Sequence, residues 1–209
     1  MTDNKVSLPK AVFKQLLETN HMLKEREYSS ILNIYLSLYA DGNISSFLAY
    51  IIAKCYFSMH DYPSAKEWIK KAIALEPLEK YYLLLAVVHE LEYNDDSAIE
   101  IYKKVLKENP SDETALNRIV VFHSRPGGQK YVDDQFAKEC LLTLINNNND
   151  NNLSFYFLEL AKIEFNNGEY SIAEELLYKA IMTLKPLSDV TLFEINNLME
   201  KIWEAKDIM

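Results

Sequence analysis

Glycine and proline are scarce, at four and six in 209 residues. β-Sandwiches and doubly wound α/β domains need many more turn glycines than that, so the composition leans towards an all-helical chain. Cysteine is scarcer still. Cys55 and Cys140 each lie in an apolar helical run outside any spaced framework, so buried thiols in a reducing compartment are expected rather than a disulfide. Basic residues are outnumbered, 22 Lys and Arg against 31 Asp and Glu, for a formal charge of -9. A nucleic-acid partner, which would need a concentrated Lys/Arg face, is therefore not expected. Long apolar runs are missing too: the longest, Tyr81 to Val88, is far too short to span a bilayer. Met1 to Lys5 is not followed by the apolar stretch of an export signal, so the expectation is cytoplasmic residence without membrane insertion. On that expectation the sequons Asn43-Ile44-Ser45 and Asn152-Leu153-Ser154 are chance matches.

Catalytic patterns are absent as well. The sequence holds no GxSxG, P-loop, GxGxxG, HExxH or CxxC. His21, His60, His89 and His123 are dispersed, and a metal pair without carboxylate or thiolate partners is a poor reading of His89 and His123. Asp and Glu alternate with Lys along helical faces, as on a solvated surface. The expectation is a non-enzymatic protein with no catalytic residue, metal or cofactor.

What the chain does have is internal repetition. Ser46-Phe47, Ala53-Lys54 and Phe57 return 108 residues later as Ser154-Phe155, Ala161-Lys162 and Phe165. Between Phe47 and Pro77, Leu48, Ile51, Ile52, Cys55 and Tyr56 recur at helical spacing. His60-Asp61-Tyr62-Pro63 interrupts them, and Ala65, Trp68, Ile69, Ala72 and Ile73 resume the pattern. This reads as helix, turn, helix. Ala65 to Ala98 and Pro77 to Pro110 both step by 33 residues, and a second pair carries Tyr82, Leu85, Ala86 and His89, then Ala98, Tyr102 and Val105. A third pair starts with Leu116, Ile119, Val120 and His123. Its turn, Ser124 to Lys130, holds about five residues more than the pattern needs before Phe136, Ala137, Leu141 and Leu144 restore helix. Asn146 to Asn152 reads as a polar low-complexity loop. A fourth pair carries Phe157, Leu160 and Ala161, then Ala173, Leu177, Ala180 and Pro186.

With Ala53, Tyr56, Ala65, Ala72 and Pro77 in place, the chain resembles the tetratricopeptide repeat family, whose unit is a helical hairpin of about 34 residues. The small residues sit where the two helices of a hairpin cross, and a bulky side chain there would splay them. The aromatic place three residues after the first small one holds Tyr56 in the first clear unit. His89, His123 and Glu164 depart from it in the other three. The resemblance implies one domain over residues 1–209. It divides into a degenerate helical pair at 8–45 and repeats at 46–78 and 79–112, then a degenerate repeat at 113–152, a repeat at 153–186 and a capping helix at 187–209. The degenerate pair would use Pro9, Val12, Phe13, Leu16 and Leu17, then Tyr28, Ile31, Tyr35 and Leu38. The cap would start at Ser188 or Asp189 and carry Leu192, Ile195, Leu198, Met199, Ile202 and Trp203.

In this family the first helices of successive units line a concave groove that captures a peptide or an amphipathic helix. By that resemblance the face would consist of Tyr50, Lys54 and Phe57, then Leu83, Val87 and Glu90, then Asn117, Val121 and Ser124, and finally Leu158, Lys162 and Phe165. It is mainly apolar and aromatic, which suits side chains at helical spacing filling successive pockets. One subgroup of the family grips a carboxylate with a Lys/Asn/Arg clamp; only Lys54 sits at a comparable place, and Leu83 and Val87 do not match it. A protein-binding module or scaffold is the leading expectation. Its rivals are a chaperone dedicated to one aggregation-prone partner, a constitutive subunit of a larger complex, and a homo-oligomer built through the degenerate first pair.

Overall fold

Several of the helices begin at a residue whose side chain caps them. Asp61 accepts a hydrogen bond from the Ser64 amide (3.1 Å), Asn94 from Ser97 (3.3 Å), Asp112 from Ala115 (2.7 Å) and Asp133 from Phe136 (2.9 Å). Such caps satisfy amides that the first turn leaves without partners. The computed structural model describes residues 28–147, 152–183 and 189–208; the expected helix around Val12 to Leu17 and the residues at 148–151 and 184–188 lie outside them. Among the described residues all regular structure is helical: ten α-helices and one 3-10 turn. The chain divides into two compact units, the first ending at Ile101 and the second starting at Tyr102.

In the first unit, α1 (Tyr28–Ala40), α2 (Ser46–Ser58), α3 (Tyr62–Leu75) and α4 (Glu79–Leu91) pack in chain order. Helix α2 has two buried faces. Leu48, Ile52 and Cys55 close on Ile31, Leu32, Tyr35 and Leu38 of α1. Ala49 and Ala53 meet Ala65, Ile69 and Ala72 of α3, in a cluster that also takes Tyr81, Leu85 and Val88 of α4. The small side chains bring α2 and α3 into close approach, as ridge-into-groove packing requires. Helix α5 (Asp95–Glu108) runs across the boundary between the units.

The second unit contains α6 (Glu113–Ser124), α7 (Asp134–Asn147), α8 (Leu153–Asn166), α9 (Tyr170–Thr183) and α10 (Asp189–Ile208). Helices α8 and α9 form its tightest pair, with Ala161, Ala173 and Ala180 fully buried, and α10 packs on both. Helix α7 continues through Asn146 and Asn147, where the sequence predicts a loop. Leu144, buried at 1 % exposure, extends the apolar stripe into that last turn.

The inserted turn keeps the logic of the regular ones. His60, Tyr93 and Gly168 each hold a positive φ (63°, 58° and 80°) directly before Asp61, Asn94 and Glu169. The carbonyls of those three residues accept the amides of Ala65, Ala98 and Ala173. Gly127 (φ 76°) takes the same left-handed place after α6, but Asp133, whose carbonyl accepts the Ala137 amide, comes five residues later than the pattern requires. Residues 128–132 are thus the insertion, and Gly128 to Lys130 coil it into the 3-10 turn. Gly128 lies so close to the end of α6 that a β-carbon would stand 2.1 Å from the Phe122 oxygen and 2.4 Å from that of His123.

Candidate functional site

In the first unit α2 carries Tyr50, Lys54 and Phe57 along one stripe, and α4 carries Leu83, Val87 and Glu90. Lys54 is exposed and the other five are half-buried. Tyr50 lies against Tyr81 with ring centroids 4.9 Å apart, and Phe57 lies 6.1 Å from Tyr62. Burial, and secondarily Tyr81, hold the Tyr50 phenol above its ordinary pKa. Phe57 and Tyr50 therefore do double duty, packing on the unit's core while presenting an edge to solvent.

The second unit holds a cavity of about 370 Å³ between α6, α8 and α10, with the inserted turn supplying Gln129. Of the residues expected on the binding face, Ser124, Lys162 and Phe165 line it. Asn117 is half-buried and already engaged: it accepts from the Tyr156 hydroxyl (2.6 Å) and donates to the Glu113 carbonyl (2.8 Å). Val121 is half-buried. Leu158 is only 2 % exposed, because its helix is buried on more than one side, and this withdraws it from any accessible face.

The cavity wall includes a carboxylate that the sequence pattern does not single out. Glu159 is 4 % exposed and accepts from Ser124 Oγ (2.6 Å) and Lys162 Nζ (2.7 Å). Lys162 also reaches Glu194 Oε2 of α10 at 2.7 Å. Burial pushes the Lys162 ammonium towards its neutral form. The hydrogen bonds to Glu159 and Glu194 outweigh that and hold its pKa above the ordinary lysine range. The lysine therefore stays charged and ties α8 to α10 beside the cavity. Glu159 lies one helical turn before Lys162, an i, i+3 spacing that marks an intrahelical pair in the sequence; Glu194 and Gln129 carry no such local mark.

The divergent aromatic place resolves into three polar solutions. Tyr56 is half-buried against both clusters of the first unit. His123 is 5 % exposed and paired with Asp134 at 2.7 Å. Glu164, also buried, is paired with Lys138 of α7 at 2.5 Å. His89 has a buried Nδ1 with no hydrogen-bond partner. Burial, and then Lys66 and Lys70, lower its pKa against the pull of Glu92.

Comparison with solved structures decides the fold. The C-terminal part of a TPR repeat-containing protein from Cytophaga hutchinsonii superposes with a TM-score of 0.64 at 14% identity, over 91% of this chain and 70% of that one. The fold is that of the tetratricopeptide repeat. MamA matches 78% of the chain and 86% of its own length (TM-score 0.62, 16% identity). A TPR repeats protein from Bacteroides fragilis matches 90% and 95% (TM-score 0.52, 15% identity). At the level of sequence no protein-family model and no curated protein matches.

Among the described residues no three His, Cys, Asp or Glu side chains gather to hold a metal, and no helix is long and apolar enough to cross a membrane. Cys55 and Cys140 are both free and buried.

Proposed function

We propose that this tetratricopeptide-type chain is a non-enzymatic interaction module that holds another polypeptide on the faces of its first helices. The observation that carries the reading is the cavity between α6, α8 and α10. There the half-buried Phe165, backed by the buried Ile163, offers an apolar wall, and Lys162 stays charged between two carboxylates. Helices already packed lose little conformational freedom on binding, so a partner's anchor side chains supply the affinity. A peptide or an amphipathic helix with apolar residues at helical spacing fits such a surface. The face comprises Tyr50, Lys54, Phe57, Leu83, Val87 and Glu90 in the first unit, and Asn117, Val121, Lys162 and Phe165 in the second. The two buried free thiols favour a reducing compartment such as the cytoplasm.

Quantitative affinity capture from the native cell tests the reading. Tyr50→Ala with Leu83→Asp, and separately Phe165→Ala, are expected to remove partner recovery while the helical circular dichroism is retained. Undiminished recovery by both variants rejects the assignment of these faces.

One observation favours a second reading, a constitutive subunit of a larger assembly. Tyr178 and Met182 on α9 and Phe193 and Trp203 on α10 leave large apolar surfaces in water, Met182 at 85% and Phe193 at 70% exposure. A subunit lacking its neighbours would aggregate or self-associate when purified, whereas an autonomous module would run as a monodisperse species.

A further inference from the structure

We propose that Phe47, Tyr50 and Tyr81 in the first unit form a receptor for a cationic side chain, arginine or lysine, of the bound partner, and that Lys80 fills it in the unbound protein. The inference rests on reading the α2 and α4 faces as a partner surface, and it adds the chemistry that surface selects.

Three rings converge on one ammonium. Lys80 Nζ lies 5.3 Å from the centroid of Tyr81, 5.6 Å from Tyr50 and 5.9 Å from Phe47. A second ammonium, Lys54 Nζ, lies 5.8 Å from the Tyr50 ring. The negative face of an aromatic ring attracts a cation out to about 6 Å, and the attraction strengthens as the cation approaches. All of these distances fall near the outer limit, so the seat is occupied without being closely filled. Phe47 is 46% exposed and Tyr50 is half-buried, which leaves an approach from solvent.

The seat is rigid where rigidity counts. Tyr81 is 1% exposed, and its hydroxyl donates to Ser46 Oγ (3.2 Å), which in turn donates to Glu76 Oε2 (2.6 Å). That chain holds the ring by its hydroxyl. Tyr50 stacks at a tilt of 39° on the same ring. Lys80 sits on a long flexible stem at the first turn of α4 and can swing into water at little cost, which suits a displaceable occupant. The formal charge of -9 favours the approach of a cationic segment over an acidic one.

The test is nuclear magnetic resonance of the full chain with labelled Phe and Tyr rings, titrated with tetramethylammonium chloride and with a capped Gly-Arg-Gly peptide, against sodium chloride at equal ionic strength. The rings of Phe47 and Tyr50 are expected to shift with both organic cations and not with sodium. Lys80→Gln empties the seat and is expected to tighten binding about two- to five-fold. Phe47→Leu with Tyr50→Leu is expected to abolish the response. Phe47→Leu alone, at an exposed position, serves if the pair lowers the melting temperature. Ring shifts that sodium reproduces, or an affinity indifferent to Lys80→Gln, overturn the proposal. If the cations fail to bind while Leu83→Asp still costs partner capture, the receptor is wrong and the interaction face stands. If they bind while Leu83→Asp is harmless to capture, the face assignment fails instead.

Discussion

Several residues sit where the repeat logic would not place them, and each departure has a measurable consequence. Lys138, about a third exposed, compensates the buried Glu164 carboxylate, so Lys138→Ala leaves a charge in the core without its partner. The expected loss is about 1–3 kcal/mol, between the values for exposed and buried pairs, measured by urea denaturation. Lys138→Met with Glu164→Leu removes both charges and is expected to regain most of that loss. At the equivalent place His89 has a lowered pKa, so the unfolded chain binds the proton more readily than the folded one. The stability it secures is present in full above the ordinary histidine pKa of about 6.5 and is lost as pH falls below it towards the lowered value of the folded state. His89→Phe should flatten the difference in stability between pH 7.5 and 5.5 relative to the parent. Burial raises the Cys55 thiol to about 11 and the Cys140 thiol to about 12. Both should ignore a thiol-specific disulfide reagent in the folded protein at pH 8 and react fully in guanidinium; rapid labelling of the native state would contradict their burial.

At the scale of the element, the informative feature is the residue that closes each first helix. Tyr93 holds φ 58° with its side chain 94% exposed, so its ring gains little in return for a left-handed backbone. Tyr93→Gly is expected to raise stability by about 0.5–1 kcal/mol, because glycine takes that conformation freely. Gly128→Ala should act in the opposite direction, by about 2 kcal/mol or more, since its methyl meets backbone and not a movable side chain. Both are checked by chemical denaturation. These elements also mark what was legible in the sequence. The helical stripes through Leu48 to Tyr56, Ala65 to Ile73 and Phe157 to Ala161 emerge as α2, α3 and α8 because burial on a helix has a period the sequence must write out. The extra turn was visible from Pro126-Gly127-Gly128, but its limits, 128–132, followed only once Asp133 proved to be the displaced cap. Leu158 departs from the expected face because its helix is buried on more than one side, and spacing along one helix carries no information about that. Spacing marks Glu159 only as a partner of Lys162, and nothing local marks Glu194, since a cavity is made by elements that meet from distant parts of the chain.

For the molecule as a whole, the tetratricopeptide fold rests on helix pairing within each compact unit, and the proposed activity rests on the faces those pairs leave open. Two surfaces compete for a partner: the first-helix stripes, with Leu83 and Phe165, and the outer apolar residues of α9 and α10, with Tyr178 and Phe193. They belong to different accounts of the protein, a module that captures a polypeptide and a subunit fixed in an assembly. A photo-reactive phenylalanine placed singly at positions 83, 165, 178 and 193 of the full chain, irradiated in the native cell, separates them. The first-helix account predicts a discrete partner adduct from positions 83 and 165 and none from 178 and 193. Adducts from 178 and 193 alone would contradict it.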